Sequence, residues 1–164
     1  MERLYSPWRS RYIASFKKEK KNEQCLFCQV IKERKDVKNL LVARKKHCFV
    51  MMNLYPYNSG HLMVIPYTHT HELSKLSERE YVDIMKTISD MMTALKKIMN
   101  AEGFNVGANL GRVAGAGIDQ HLHFHIVPRW NGDTNFMPVL AETKVISDEM
   151  KKTYKELKKY VSKK

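Results

Sequence analysis

His121-Leu122-His123-Phe124-His125-Ile126-Val127, closed by Pro128, is the stretch on which the reading of this chain turns. Imidazole alternates with hydrocarbon at a period of two, the pattern of a strand with one face in a core. The alternation predicts a strand over His121–Val127 with Leu122, Phe124 and Ile126 facing inward. It puts three imidazoles on the opposite face, about 6–7 Å apart. One histidine on a strand is ordinarily a hydrogen-bonded structural residue. Three in register resist that explanation, because each ring has two nitrogens to satisfy. Two chemical readings compete. Histidine is the commonest metal ligand, but three rings on a flat strand are splayed for one ion whose bonds to nitrogen are about 2.0–2.1 Å. A neutral imidazole can instead attack phosphorus and divide one difficult displacement into two easier ones. The glycine-rich Gly111-Arg112-Val113-Ala114-Gly115-Ala116-Gly117 just upstream favours the second reading, since its amides can cradle an anion beside the rings. The middle ring, His123, is then expected to lie open beside that cradle.

The neighbouring segments supply the rest of a sheet. Leu40–Ala43 and His47–Met52 read as a hairpin across Arg44-Lys45-Lys46, and His61–Ile65 as a third strand stopped by Pro66. Ser77 and Glu80 form an S-x-x-E capping box. Behind it Tyr81, Ile84, Met85, Ile88, Met92, Leu95 and Met99 repeat at helical spacing up to Gly103. Those methionines read as packing residues, not ligands. Phe104–Leu110 reads as a fourth strand. A last helix is expected over Ser147–Val161, with Met150, Tyr154, Leu157 and Val161 on one side. The fold class is α+β: a roughly five-stranded antiparallel sheet with one long helix and a C-terminal helix. Three segments are expected: a basic leader over 1–24 anchored by Tyr5, Trp8, Tyr12 and Phe16, a catalytic domain over 25–140, and a lysine-rich C-terminal helix over 141–164 packed on it.

Composition narrows the function classes. With 164 residues, 43% hydrophobic and 28% charged, the chain can bury one real core, which excludes wholesale disorder. No window approaches the roughly 18 unbroken apolar residues of a membrane helix, and Met1–Ser10 lacks the apolar stretch of a secretion signal. Three cysteines do not make a disulfide scaffold. A cytoplasmic setting is expected. The net charge of +12 is uneven: residues 1–22 carry +5 and residues 151–164 carry +6, while the body between is nearly neutral. A nucleic-acid-binding fold more often has a basic face interleaved with aromatics. The charged ends read as solvated termini, with attraction of a polyphosphate or RNA as the alternative.

The sequence resembles the histidine triad (HIT) family, whose signature is His-φ-His-φ-His-φ-φ with φ apolar; His121 through Val127 match every position. The likeness runs from Cys25 to Asn135, with support from Asn53, Gly60-His61-Leu62-Met63-Val64-Ile65-Pro66, Asn109-Leu110-Gly111 and Val127-Pro128-Arg129. It implies that His123 is the nucleophile that becomes nucleotidylated at an α-phosphate. His125 would contact the phosphate, His121 would support, and His61 would stand near the nucleophile. Asn53 would meet ribose hydroxyls, and Asn109 with Gly115, Ala116 and Gly117 would line the phosphate. The implied activity is cleavage of a nucleoside polyphosphate or phosphoramidate, a dinucleoside polyphosphate favoured, by a homodimer.

One departure matters. Hydrolytic branches carry a compact Gly-Gln-Ser/Thr-Val before the triad, whereas Ala114-Gly115-Ala116-Gly117-Ile118-Asp119-Gln120 is longer and has no hydroxyl. That form resembles the branch related to diadenosine tetraphosphate phosphorylases, as do Tyr55-Pro56-Tyr57-Asn58 and Arg129-Trp130-Asn131-Gly132-Asp133-Thr134-Asn135-Phe136-Met137. Those enzymes discharge the nucleotidyl-histidine with phosphate rather than water; both acceptors stay open here. The competing functions are removal of a 5'-adenylate from a nucleic-acid end and nucleotide binding without turnover.

Cys25-Leu26-Phe27-Cys28 is a C-x-x-C that alone could be half a zinc site, a redox pair or two buried small hydrophobes. The redox reading lacks a βαβ context. Likeness to bacterial HIT proteins implies that His69 and His121 complete a structural zinc site, with His71 or Cys48 as substitutes; two thiolates and two imidazoles suit tetrahedral zinc.

Overall fold

The computed structural model describes residues 25–134 and 149–162. The leader 1–24, Asn135-Phe136-Met137 and the expected helix start at Ser147 lie outside them. Five strands form one antiparallel sheet in the order β1-β2-β3-β5-β4: β1 Leu41–Arg44, β2 Cys48–Met52, β3 Leu62–Pro66, β4 Gly103–Gly107 and β5 Phe124–Arg129. Helix α1 spans Leu26–Glu33, α2 Glu78–Met99 and α3 Met150–Val161. Single 3₁₀ turns cover Leu73–Lys75 and Arg112–Ala114.

Period two sorts the central strands into two layers. Val42, Cys48, Val50, Met52, Leu62, Val64 and Ile126 face α2 and α3, which contribute Ile84, Ile88, Met91, Ala94, Leu95, Tyr154 and Leu157. Leu41, Phe49, Met51, Met63 and Ile65 face the other way and meet Phe27 and Val30 of α1. Helix α2 starts where its capping box says it should. Ser77 Oγ accepts the Glu80 amide, and Glu80 Oε2 accepts the Ser77 amide at 2.8 Å. Its buried stripe runs through Ile84, Thr87, Ile88, Met91, Ala94 and Leu95. Tyr81 and Met85, expected in the core, face solvent, because the stripe is rotated toward Thr87 and Met91. At the other end Trp130 Nε1 donates to the Met99 carbonyl at 3.1 Å, satisfying an acceptor left over by the helix end.

Three expectations need correction. Strand β5 begins at Phe124, not His121: the ladder to β3 stops at Val64↔Phe124. Upstream the chain leaves the sheet, and the Leu122 amide donates instead to the Thr70 carbonyl at 2.6 Å. Strand β4 covers Gly103–Gly107 rather than Phe104–Leu110, because its pairing with β5 ends at Gly107↔His125. Helix α1 was not expected at all. Its apolar Leu26, Phe27, Val30 and Ile31 do follow helical spacing, but its N-cap is Cys25, with no side-chain cap bond, and its C-cap is Arg34 in the left-handed region.

Candidate functional site

The three triad histidines serve three different local purposes, which follows from the chain entering the sheet midway through the motif. His121, still outside the ladder, donates from Nε2 to the Pro66 carbonyl at 2.9 Å. Its Nδ1 therefore carries a bare lone pair. That lone pair lies 3.3 Å from Cys25 Sγ, 3.7 Å from Cys28 Sγ and 3.3 Å from His69 Nδ1, and Cys28 Sγ lies 3.4 Å from His69 Nδ1. Burial pushes His121 down to about 4, keeping the ring neutral, as a metal ligand must be. Burial, then the neighbouring Cys25, pushes the Cys28 thiol up.

Cys25, Cys28, His69 and His121 thus bring four ligand atoms within 4.8 Å of one another. Tetrahedral zinc with bonds of about 2.3 Å to sulfur and 2.0–2.1 Å to nitrogen requires ligand separations of about 3.3–3.8 Å. The four separations given above fall in that interval. Two thiols and two imidazole nitrogens converging with so few protons between them fit a divalent cation. The His121 Nε2–H to a backbone carbonyl is the outer support such ligands ordinarily have. His71 takes no part, lying exposed beside Glu72 at 3.8 Å. Neither does Cys48, buried against Thr87 Oγ1 at 3.5 Å with its thiol pushed up to about 11 by burial.

His123 donates from Nδ1 to the His121 carbonyl at 2.8 Å, so the lone pair of the neutral ring sits on Nε2. Among the described residues nothing hydrogen-bonds to that nitrogen. The ring is buried, 6% exposed, rather than open as expected. The reason is α1, whose Phe27 ring packs at 5.2 Å between centroids, with His125 at 5.0 Å on another side. The same burial pushes His123 below the ordinary imidazole range and favours the neutral form.

His125 belongs to a relay. The Tyr57 amide donates to His61 Nδ1 at 3.0 Å, and the Asn53 side-chain amide approaches the same atom at 3.4 Å. A neutral His61 therefore carries its proton on Nε2, which donates to His125 Nδ1 at 2.9 Å. His125 in turn carries its proton on Nε2. The tautomers of adjacent triad members are opposite: a lone pair at Nε2 of His123, an N–H at Nε2 of His125. Tyr57 covers both relay rings, 4.7 Å from His61 and 5.7 Å from His125 between centroids.

The glycine loop is more self-contained than expected. Gly111 and Gly115 take φ of +82° and +90°, and the amides of Ala114 and Ala116 donate to Gly111 O while that of Gly115 donates to Arg112 O. Of the three loop residues expected at the phosphate, Gly117 is the one whose amide this turn does not use. Asn109 Nδ2 donates to Gly115 O at 3.4 Å, and Arg112 closes the loop on Asp119 at 2.5 Å. Asn53 also accepts the Tyr55 amide at 3.0 Å, so its side chain shapes the loop before His61. Sequence reasoning missed Phe27, although its place between two cysteines was a usable signal.

The HIT domain profile matches residues 34–132. The chain belongs to the HIT domain family. A HIT relative, the AP-4-A phosphorylase of Mycobacterium tuberculosis, is 39% identical over 157 residues, 93% of this chain and 80% of that protein. The adenosine 5'-monophosphoramidase of Schizosaccharomyces pombe is 31% identical over 107 residues, 65% of this chain and 75% of that one. A zinc-bound histidine triad family protein from Mycobacterium smegmatis shares the HIT fold, with TM-score 0.69 at 22% identity over 85% of this chain and 94% of that chain. The chain is thus a HIT enzyme of the hydrolase or transferase type. Among the described residues no helix is long and apolar enough to cross a membrane.

Proposed function

We propose that the chain transfers a nucleotidyl group from a nucleoside polyphosphate, a dinucleoside polyphosphate by preference, through a covalent intermediate on His123. The observation that carries this reading is the pair of hydrogen bonds, His123 Nδ1 to the His121 carbonyl and His61 Nε2 to His125 Nδ1, which assign opposite tautomers to His123 and His125. A lone pair and an N–H side by side offer an attacking atom and a donor for a phosphate oxygen.

Nε2 of His123 attacks the α-phosphorus and forms a P–N bond. The P–O bond to the remaining phosphates breaks, and its electron pair leaves with that group. The His121 carbonyl holds the Nδ1 proton and stabilises the positive charge that develops on the ring. His125, oriented by His61, donates to a non-bridging oxygen, and the Gly117 end of the loop supplies backbone donors on the same phosphate. Such preorganised donors are the largest expected contribution to rate. Phosphate or water then attacks phosphorus from the opposite side, the P–N bond breaks, and its electron pair returns to Nε2. Asn53 supports ribose recognition and Asn109 the phosphate pocket. Cys25, Cys28, His69 and His121 would hold a zinc ion, whose chemistry at that centre is structural cross-linking. Assembly as a homodimer belongs to the same proposal.

The name of the M. tuberculosis relative favours phosphate as acceptor. Product analysis of diadenosine tetraphosphate with and without inorganic phosphate tests this. ADP plus ATP means phosphorolysis, and AMP plus ATP means hydrolysis. His123→Ala is expected to lose turnover by about 10⁴-fold or more while nucleotide still binds. Substantial activity in that variant would refute the nucleophile, and nucleotide binding without turnover in the wild type would leave a binding module.

A further inference from the structure

The metal cluster and the proposed nucleophile are two residues apart, and three contacts join them. Phe27 sits between the ligands Cys25 and Cys28, so its backbone is fixed from both sides once they are bound. Its ring is 1% exposed and touches both histidines, at 5.5 Å edge-on to His121 and at 5.2 Å and 58° to His123. His121 has every polar side-chain atom committed, Nε2 to Pro66 and Nδ1 to the cluster, and its carbonyl is the acceptor that sets the His123 tautomer. A helix of eight residues is too short to hold itself together in water. Helix α1 has no side-chain N-cap, and only Phe27 and Val30 of it are fully buried. What fixes its N-terminal turn is therefore the cysteine pair.

We propose that the metal centre is a positioning device for the reaction. Binding of a zinc-like cation by the four side chains pins α1 and the His121 backbone. Phe27 and the His121 carbonyl then hold the His123 ring at the angle from which Nε2 attacks. Phe27 is a positioning residue: it touches the attacking ring and has no polar atom to offer a substrate. The hydrogen bond from Nδ1 alone permits the ring to swing about that bond, and the aromatic wall removes the freedom. The proposal rests on the reading of His123 as nucleophile, and it makes the cluster part of catalysis as well as of the fold.

The test uses the full chain in three states: zinc-loaded, zinc-stripped by chelator, and zinc-loaded Phe27→Leu. Each is followed by metal content, thermal melting, the hydrogen-bonded His123 Nδ1–H resonance of histidine-labelled protein, and kcat and KM for diadenosine tetraphosphate. Phe27→Leu is expected to keep one zinc equivalent and a KM within about threefold, while kcat falls about tenfold or more, the signature of a misaligned attack. Its Nδ1–H resonance broadens or disappears. Stripping gives the same loss of resonance, and zinc restores it. A sharp resonance and unchanged kcat in both altered states would overturn the proposal and reduce the centre to a staple. Where stripping unfolds the chain, the folded Phe27→Leu protein decides alone. If Phe27→Leu sheds its zinc yet keeps resonance and kcat, the proposal also fails. His123→Ala separates this from the nucleophile assignment: turnover in that variant sinks the assignment, whereas the resonance reports the coupling either way.

Discussion

The two sides of the sheet are built to different standards. The α2/α3 side is broad, opened by a capping box and filled with interlocking apolar side chains across Ile84, Leu95, Tyr154 and Leu157. The α1 side is small: two buried residues of a short helix lie on five strand residues, and Cys25 and Cys28 at its start converge with His69 and His121. The small side lies directly against His121 and the proposed nucleophile His123, through the Phe27 ring. On the proposed mechanism, stability and reactivity fall to opposite faces.

Substitutions on each face can break that division. The largest expected effect is at Leu95, fully buried under α2. Leu95→Ala should cost about 2–5 kcal/mol by denaturant titration, with kcat per folded molecule unchanged. A matching fall in kcat would break the contrast. Val30→Ala on α1 should cost less, about 1–2 kcal/mol, yet lower kcat several-fold, because it loosens the helix that carries Phe27. Ser77→Ala removes the box at the start of α2 and should cost about 1 kcal/mol with no kinetic effect. The smallest is at the junction between the faces, where Arg44 pairs with Asp36 at 2.7 Å and the Tyr154 hydroxyl donates to the carbonyls of Asp36 and Leu41. The hydrogen bond from Arg44 holds the Asp36 carboxyl below its ordinary value. A depressed carboxylate stabilises the fold above its unfolded pKa, and this is lost as pH falls through the folded one. Arg44→Met should therefore cost about 0.5 kcal/mol at pH 7, the pair being partly exposed. The gap from wild type should close as pH falls below the ordinary carboxylate range.

The legible parts of the sequence were those with a local cause. Ser77 and Glu80 announce α2 because both partners of the box lie within one turn. The hairpin strands follow alternation, and their observed bounds differ from expectation by a residue. The triad misled at its first half. His121 and His123 alternate as strand residues do, but the β3–β5 ladder stops at Val64↔Phe124 although β3 runs on to Pro66, and the Leu122 amide goes to the Thr70 carbonyl instead. Pairing is a property of the partner strand, which alternation within one segment does not encode. Helix α1 was illegible for a related reason: it lacks a capping side chain and an acidic first turn, and the side chains that meet its cysteine, His69 and His121, lie 41 and 93 residues beyond Cys28. The cysteine pair was read from its C-x-x-C spacing and its two histidine partners through family likeness, and the folded chain brings all four together. The burial of His123 was not anticipated, because it depends on α1.

Asn58 joins two stretches that the sequence shows only as separate signatures. Its buried side-chain amide donates to the Pro128 carbonyl at 3.0 Å and to Asp133 Oδ2 at 2.8 Å, and Asp133 is gripped by Arg129 at 2.5 and 2.7 Å. The Tyr55–Asn58 turn and the Arg129–Thr134 turn are therefore one hydrogen-bonded object cut by the seventy residues of intervening chain. Transplanting either turn into a sister protein would strand an amide or a carboxylate in the dry interior. The two must travel as a pair, whether by inheritance or by design.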